Sequence, residues 1–106
     1  MLHPGEEPRR AYVTTQFESR EGPVVASTDY IRAFADQIRQ WVPGRYRTLG
    51  TDGYGRSDSR QALRRFFEVD RWHIVIAALS AVDPQKHEEA LARYDMQAGV
   101  SAPWTR

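Results

Sequence analysis

From residue 23 onward the chain alternates between short β-branched runs and segments with helical spacing. Pro23-Val24-Val25-Ala26-Ser27 follows a Gly-Pro breaker and is compact and apolar, which predicts a buried strand. Ile31, Phe34, Ala35, Ile38, Trp41 and Val42 then recur at i, i+3, i+4, i+7, i+10 and i+11, with Arg32, Asp36, Arg39 and Gln40 on the other side. That spacing predicts a helix packed on one face, capped by Ser27 or Thr28 and ended by Pro43-Gly44. Arg45 to Gly50 reads as a second strand, with Tyr46 and Thr48 facing one way and Arg47 and Leu49 the other.

A loop rich in glycine, aspartate and serine follows. Ser57, Asp58 or Ser59 caps the next helix, Asp58 and Gln61 having capping-box spacing, and Leu63, Phe66 and Phe67 form its buried stripe. Val69 to Val82 is apolar on every side at its centre. Its length, its three alanines and Asp70 at a capping position predict a helix rather than a strand. Asp83-Pro84 opens a last helix, Asp83 as cap and Pro84 in the first turn, running to about Arg93 or Tyr94. Ala11 to Phe17 fits a short strand or a helical turn equally well, because seven residues are too few for periodicity to decide. The organisation expected is an irregular lead-in over 1–22, a partial domain over 23–94 and an irregular tail over 95–106 in which Trp104 docks.

The order strand, helix, strand, helix, helix is that of an α/β layer with a small, mostly parallel sheet. Two or three strands make a narrow sheet, and a buried strand such as Val24–Ala26 expects neighbours on both sides. The reading is therefore a partial α/β/α domain.

Composition narrows the chemistry. The chain has 106 residues and no cysteine, which excludes disulfides, thiol catalysis and thiolate metal sites. No run approaches the roughly 18 apolar residues of a membrane span, and no secretory signal pattern opens the chain. A cytoplasmic setting and no membrane partner are expected. With 15 basic and 14 acidic residues the net charge is +1, so nothing favours nucleic acid as a partner of the whole chain.

Leu49-Gly50-Thr51-Asp52-Gly53-Tyr54-Gly55-Arg56-Ser57-Asp58-Ser59-Arg60 is the most distinctive segment. It lies between a strand and a helix N-terminus, where phosphate cradles occur, but it lacks both the Gly-Lys-Ser/Thr ending and the dinucleotide glycine spacing. Asp52 and Asp58 have no ligand-dense spacing, so turn and capping roles rank above a cation site. His3, His73 and His87 are far apart and belong to no catalytic motif, and a Ser57, His73, Asp52 assembly is an arbitrary choice. Arg60, Arg64, Arg65 and Arg71 near Phe66, Phe67 and Trp72 suggest a single-strand-binding surface. The phenylalanines fit a helical core stripe better, and salt bridges to a neighbouring domain explain the arginines.

With its flanks, the loop resembles the C-terminal part of one enzyme family. Met1-Leu2-His3-Pro4, Val25-Ala26-Ser27-Thr28-Asp29-Tyr30, Tyr46-Arg47-Thr48-Leu49, the loop itself and Phe67-Glu68-Val69-Asp70 carry the likeness, which runs to about Leu79 and then fades. The family is the thiamine-diphosphate-dependent pyruvate dehydrogenase decarboxylating component of homodimeric bacterial type, related to transketolase. The resemblance implies a transketolase-like C-terminal domain that packs on other domains and on the dimer mate. It implies no catalytic, cofactor or metal residue in this chain, thiamine diphosphate and magnesium being held elsewhere in the full enzyme. That enzyme decarboxylates pyruvate and passes acetyl to the lipoyl groups of the acetyltransferase component. Met1 falls where the family has an interior methionine, so an inactive fragment is expected. The alternative is a stand-alone interaction module docking on a full-length or split enzyme. The expected interdomain or dimer contact loop is Thr51, Asp52, Gly53, Tyr54, Gly55, Arg56, Ser57, Asp58 and Arg60.

Overall fold

The structure, a computed structural model, describes residues 3–97 and 99–106; Met1 and Leu2 of the first motif, and Ala98 of the tail, lie outside the described residues. Two strands, β1 (Val24–Ser27) and β2 (Tyr46–Leu49), pair in parallel with Val24 opposite Tyr46 and Ser27 opposite Leu49. Ahead of them lies α1 (Tyr12–Phe17), which settles the ambiguous segment as a helix. The crossover between the strands holds α2 (Arg32–Asp36) and a 3₁₀ turn at Arg39–Trp41. After β2 come α3 (Arg60–Phe66), α4 (Arg71–Val82), α5 (Pro84–Arg93) and a closing 3₁₀ turn at Pro103–Thr105.

The alternation along β2 decides the layering, because successive side chains leave a strand on opposite faces. The Tyr46 hydroxyl donates to Ala35 O (2.8 Å) and the Thr48 hydroxyl to Asp36 Oδ1 (2.9 Å), both on α2. Arg47, between them in sequence, donates to Ser80 Oγ of α4 (2.5 Å). Helix α2 thus covers one face and α4 the other, giving the three layers expected on a sheet of only two strands.

The crossover helix departs from expectation in two ways. It is short, and neither Ser27 nor Thr28 caps it. The Thr28 amide continues the ladder to Leu49 O (3.0 Å) and its hydroxyl accepts from Tyr30 N (3.1 Å), so the chain stays extended past the expected cap. The cap comes instead from across the fold, where Asp52 Oδ1 accepts the Arg32 amide at 2.9 Å. At the other end the backbone tightens into the 3₁₀ turn, and the Arg39 guanidinium bonds Tyr46 O (2.7 Å) and Asp36 (2.5 Å).

More consequential is which side of α2 faces the sheet. Its polar residues face inward, Arg32 to Asp52 and Asp36 to Thr48, while Ile31, Phe34, Ile38 and Trp41 are exposed, Phe34 at 58%. Of the expected stripe only Val42 is buried. A surface helix of a self-contained domain is turned the other way round.

The last two helices end as the sequence requires. Asp70 caps α4, accepting the amides of Trp72 and His73 at 3.0 Å each, and Asp83 caps α5, accepting Lys86 N at 3.1 Å. They pack on each other through Ala77, Ala90 and Leu91, which with Val42 and Val69 form a core of small and medium side chains containing no fully buried aromatic. Thr48 is the one buried polar residue among those described, and its bond to Asp36 satisfies it. The radius of gyration is 16.9 Å, against about 13 Å for a compact domain of this length. The chain is spread flat.

These caps predict acid lability. Burial pushes the Asp70 carboxyl up, but the amide and ring hydrogen bonds of His73 outweigh it and hold it below the ordinary carboxylate value. The Lys86 amide does the same for Asp83, outweighing a smaller desolvation. A carboxyl lowered in the folded state stabilises it above the unfolded value of about 3.9 and stops doing so as pH falls through the lower folded value. Helicity by circular dichroism should therefore be flat above about pH 5 and fall below about pH 4. Asp70→Asn, an equally good cap that does not titrate, should lessen the acid loss, and Asp70→Ala should cost about 1 kcal/mol at neutral pH.

Candidate functional site

The loop between β2 and α3 is fastened at its start and open at its tip. Gly50 lies so close to the crossover that a Cβ on it would sit 2.6 Å from Arg32 N and 2.8 Å from Tyr30 O, which only glycine avoids. Next to it the Thr51 amide donates to Tyr30 O (2.9 Å) and its hydroxyl to Asp29 O (2.7 Å). Asp52 then grips Arg32 twice, through the amide and through Nε. Three consecutive residues thus tie the loop to the segment leaving β1.

Beyond Asp52 the loop is exposed. Gly53 has φ +108°, and Trp104 packs against it, the nearest tail atom 3.0 Å from where a Cβ would lie. The Arg32 guanidinium lies 5.3 Å from the Trp104 ring centre, so Trp104 docks on the loop, a place the sequence left open. A second tail contact follows: Arg106 bonds Glu68 (2.5 Å) and its guanidinium lies 5.4 Å from the Phe66 ring. Arg56 covers the same ring at 4.1 Å. Tyr54, at the tip, is 91% exposed, and Gly55 has open space all round. Among the described residues Asp58 accepts only the neighbouring Ser59 amide (2.6 Å), while Ser59, rather than Asp58, caps α3 by accepting Ala62 N at 3.2 Å.

The predicted residues therefore divide. Thr51 and Asp52 serve the chain's own fold. Gly53 and Arg56 receive the tail and Phe66, whereas Tyr54 and Gly55 meet nothing nearby. Asp52 and Asp58 do not converge, and among the described residues no group of three His, Cys, Asp or Glu residues could hold a metal ion. The Ser57, His73, Asp52 assembly does not form, since the His73 ring engages Asp70 at 2.7 Å and Asp52 engages Arg32. Two of the four arginines by Phe66, Phe67 and Trp72 are occupied as well. Arg64 grips Asp29 with two bonds (3.2 and 2.6 Å) and holds its carboxyl below the ordinary value, and Arg65 reaches Asp95 O (3.3 Å). Phe66 and Phe67 meet edge to face at 5.1 Å. They are half-buried against each other rather than free to stack on bases.

Sequence reasoning missed Arg32 and Tyr30 as the loop's anchors. The periodicity of α2 marks Arg32 as an outward residue, and no local pattern links it to an aspartate 20 positions on.

A narrow parallel sheet with helices on both faces defines a partial α/β layer. Residues 6–70 match the family described as Transketolase-like TK C-terminal domain, and the chain belongs to that family. It is similar to the pyruvate dehydrogenase E1 component of Pseudomonas aeruginosa, at 54% identity over 88% of this chain and 11% of that protein. The E1 components of Cupriavidus necator (50%) and Escherichia coli K12 (46%) each align over 97% of this chain and 12% of their own length. Alignments over 97% of this chain extend past Leu79, whereas the family model ends at residue 70. The chain spans roughly a ninth of the length of these curated relatives. No described helix is long and apolar enough to cross a membrane.

Proposed function

We propose that the chain serves as the C-terminal α/β layer of a pyruvate dehydrogenase E1-type enzyme, contributing domain packing and dimer contacts to the decarboxylation of pyruvate and acetyl transfer to lipoyl groups. The observation that carries this reading is the inverted helix α2, whose apolar side faces outward. Exposing Ile31, Phe34, Ile38 and Trp41 together makes a patch of the kind that marks an interaction surface. The loop supports the same reading. Its start is fixed by the chain's own contacts, while its tip, from Gly53 to Arg60, is exposed and so available to a neighbour. In this reading Thr51 and Asp52 anchor the loop, and Gly53, Tyr54, Gly55, Arg56, Ser57, Asp58 and Arg60 form its contact surface toward the enzyme's other domains and the dimer mate.

The chain's residues do not fit thiamine diphosphate with magnesium. Ser59 occupies the Ala62 amide of α3, Asp70 occupies the Trp72 and His73 amides of α4, and the loop aspartates are engaged apart from each other. The cofactor belongs to other parts of the full enzyme, and the acetyltransferase component is a partner of that enzyme as a whole.

Mixing the chain with an E1 component truncated to lack the matching segment tests the packing role. Co-elution in size-exclusion chromatography is expected, and Phe34→Asp should abolish it. Co-elution undiminished by Phe34→Asp would show that the exposed stripe is not the contact. Calorimetry of the chain alone with thiamine diphosphate and magnesium should give no heat of binding; micromolar binding would refute the division of labour.

A further inference from the structure

At the carboxyl ends of the two parallel strands, where open α/β sheets place their ligand crevices, lies a groove of about 900 Å³. Its walls are the segment leaving β1 at Asp29, the first turns of α3 at Arg60 and Arg64, and the start of α4 from Asp70 to Trp72. It is distinct from the apolar stripe of α2.

The charges lining the groove are unevenly matched. Arg64 and Asp29 neutralise each other through two hydrogen bonds, and Asp70 is taken by the amides of Trp72 and His73, by the His73 ring and by Arg65 at 3.6 Å. Arg60 has no hydrogen bond or ion pair among the described residues, although it is near enough to Asp29 to help lower its carboxyl. Arg71 lies over the Trp72 ring at 4.4 Å with no carboxylate partner among the described residues. Two guanidinium groups are thus unmatched in one groove. The Asp29–Arg64 pair shows what a carboxylate does there: it takes Nε and a terminal nitrogen of one arginine together, the fork geometry that favours arginine for carboxylates.

The ligand class follows from what is occupied. Phosphate cradles rely on several free backbone amides at a helix start, and here Ser59 takes the Ala62 amide and Asp70 those of Trp72 and His73. Side-chain forks remain, and they suit carboxylates. An apolar wall stands beside them: Trp72 is held by stacking on Tyr94, ring centres 4.3 Å apart, with Val69 and Ile74 alongside.

We propose that this groove docks an acidic, partly apolar peptide segment of another polypeptide, its carboxylates on Arg60 and Arg71 and an apolar side chain on Trp72. The site is separate from the exposed face of α2 but shares Arg60 with the proposed contact loop, and its test reads neither cofactor binding nor co-elution with truncated E1.

The probe is a fluorescein-labelled peptide of glutamate and leucine, titrated against the full chain by fluorescence anisotropy, with a lysine and leucine peptide as control. The acidic peptide should bind and the basic one should not. Raising ionic strength from about 0.01 M to 0.15 M, where the Debye length falls from about 30 to 8 Å, should weaken binding. Arg60→Glu with Arg71→Glu should weaken it at least tenfold at unchanged helicity. Should that pair disturb the fold, Arg60→Gln and Arg71→Gln separately should each weaken it several-fold. Equal affinity for the two peptides, no effect of either glutamine variant, or displacement by inorganic phosphate as effective as by unlabelled acidic peptide would each overturn the proposal.

Discussion

Gly50→Ala is expected to destabilise the fold by about 3 kcal/mol, while Gly55→Ala, five residues on in the same loop, should change stability by less than about 0.5 kcal/mol. Neither glycine has a positive φ, so conformational freedom does not separate them. Contact does. A methyl at Gly50 would meet Arg32 N at 2.6 Å and Tyr30 O at 2.8 Å, both backbone atoms that cannot turn aside as the end of a side chain can. The crossover would have to move, and the same displacement would break the bonds from Thr51 N to Tyr30 O and from Arg32 N to Asp52. Overpacking alone costs about 1–3 kcal/mol, and losing the Asp52 cap on α2 adds about 1 kcal/mol. At Gly55 a methyl meets only open space. Urea unfolding of the two variants beside the parent checks the contrast. Equal effects would mean that the close approach at Gly50 is not what ties the loop to the fold.

The same residues show what was legible in the sequence. Asp70 and Asp83 sit at the cap positions read from their neighbours, because a cap acts on amides two or three residues away. The strand pair and its facing were equally local, since a period of two assigns Tyr46 and Thr48 to one face and Arg47 to the other. What escaped is all long-range. Asp52 caps a helix that begins 20 residues earlier, and Trp104 packs on Gly53 from the end of the chain. The extent of α2 was overestimated because its apolar period continues past the point where hydrogen bonding to Arg39 and Tyr46 tightens the turn. Its stripe is a sound helical pattern that the described residues leave exposed. For the loop, the motif was legible, and so was its position between strand and helix. Its division into an anchored start and an exposed tip required the packing of Tyr30 and Arg32 against Gly50.

That uncovered stripe leads to the second large effect: the isolated chain should self-associate at micromolar concentration and melt broadly rather than as a compact monomer. Among the described residues each strand has only the other as a ladder partner, leaving both outer edges with unpaired backbone groups that a second chain can join. On the layer that covers one face, Phe34, Ile38 and Trp41 are exposed, and fully burying such a side chain contributes about 1.5–3 kcal/mol. The core offers little to set against this, since its buried apolar residues are three of medium size, Val42, Val69 and Leu91, and two alanines. Domains of this size come out near zero when burial at about 25 cal/mol per Å² is set against roughly 1.5 kcal/mol of entropy per ordered residue. Phe34→Asp combined with Ile38→Lys should weaken self-association by at least about tenfold, the equivalent of 1.4 kcal/mol, because it removes apolar surface without touching the bonds of Arg32, Asp36 or Arg39. Sedimentation velocity on parent and variant, with a thermal melt of each, is the measurement. A monodisperse parent monomer with a sharp transition above about 60 °C would place the chain at the upper end of ordinary mesophile domains. It would also show that the two-stranded sheet, with α2 turned outward, is sufficient by itself.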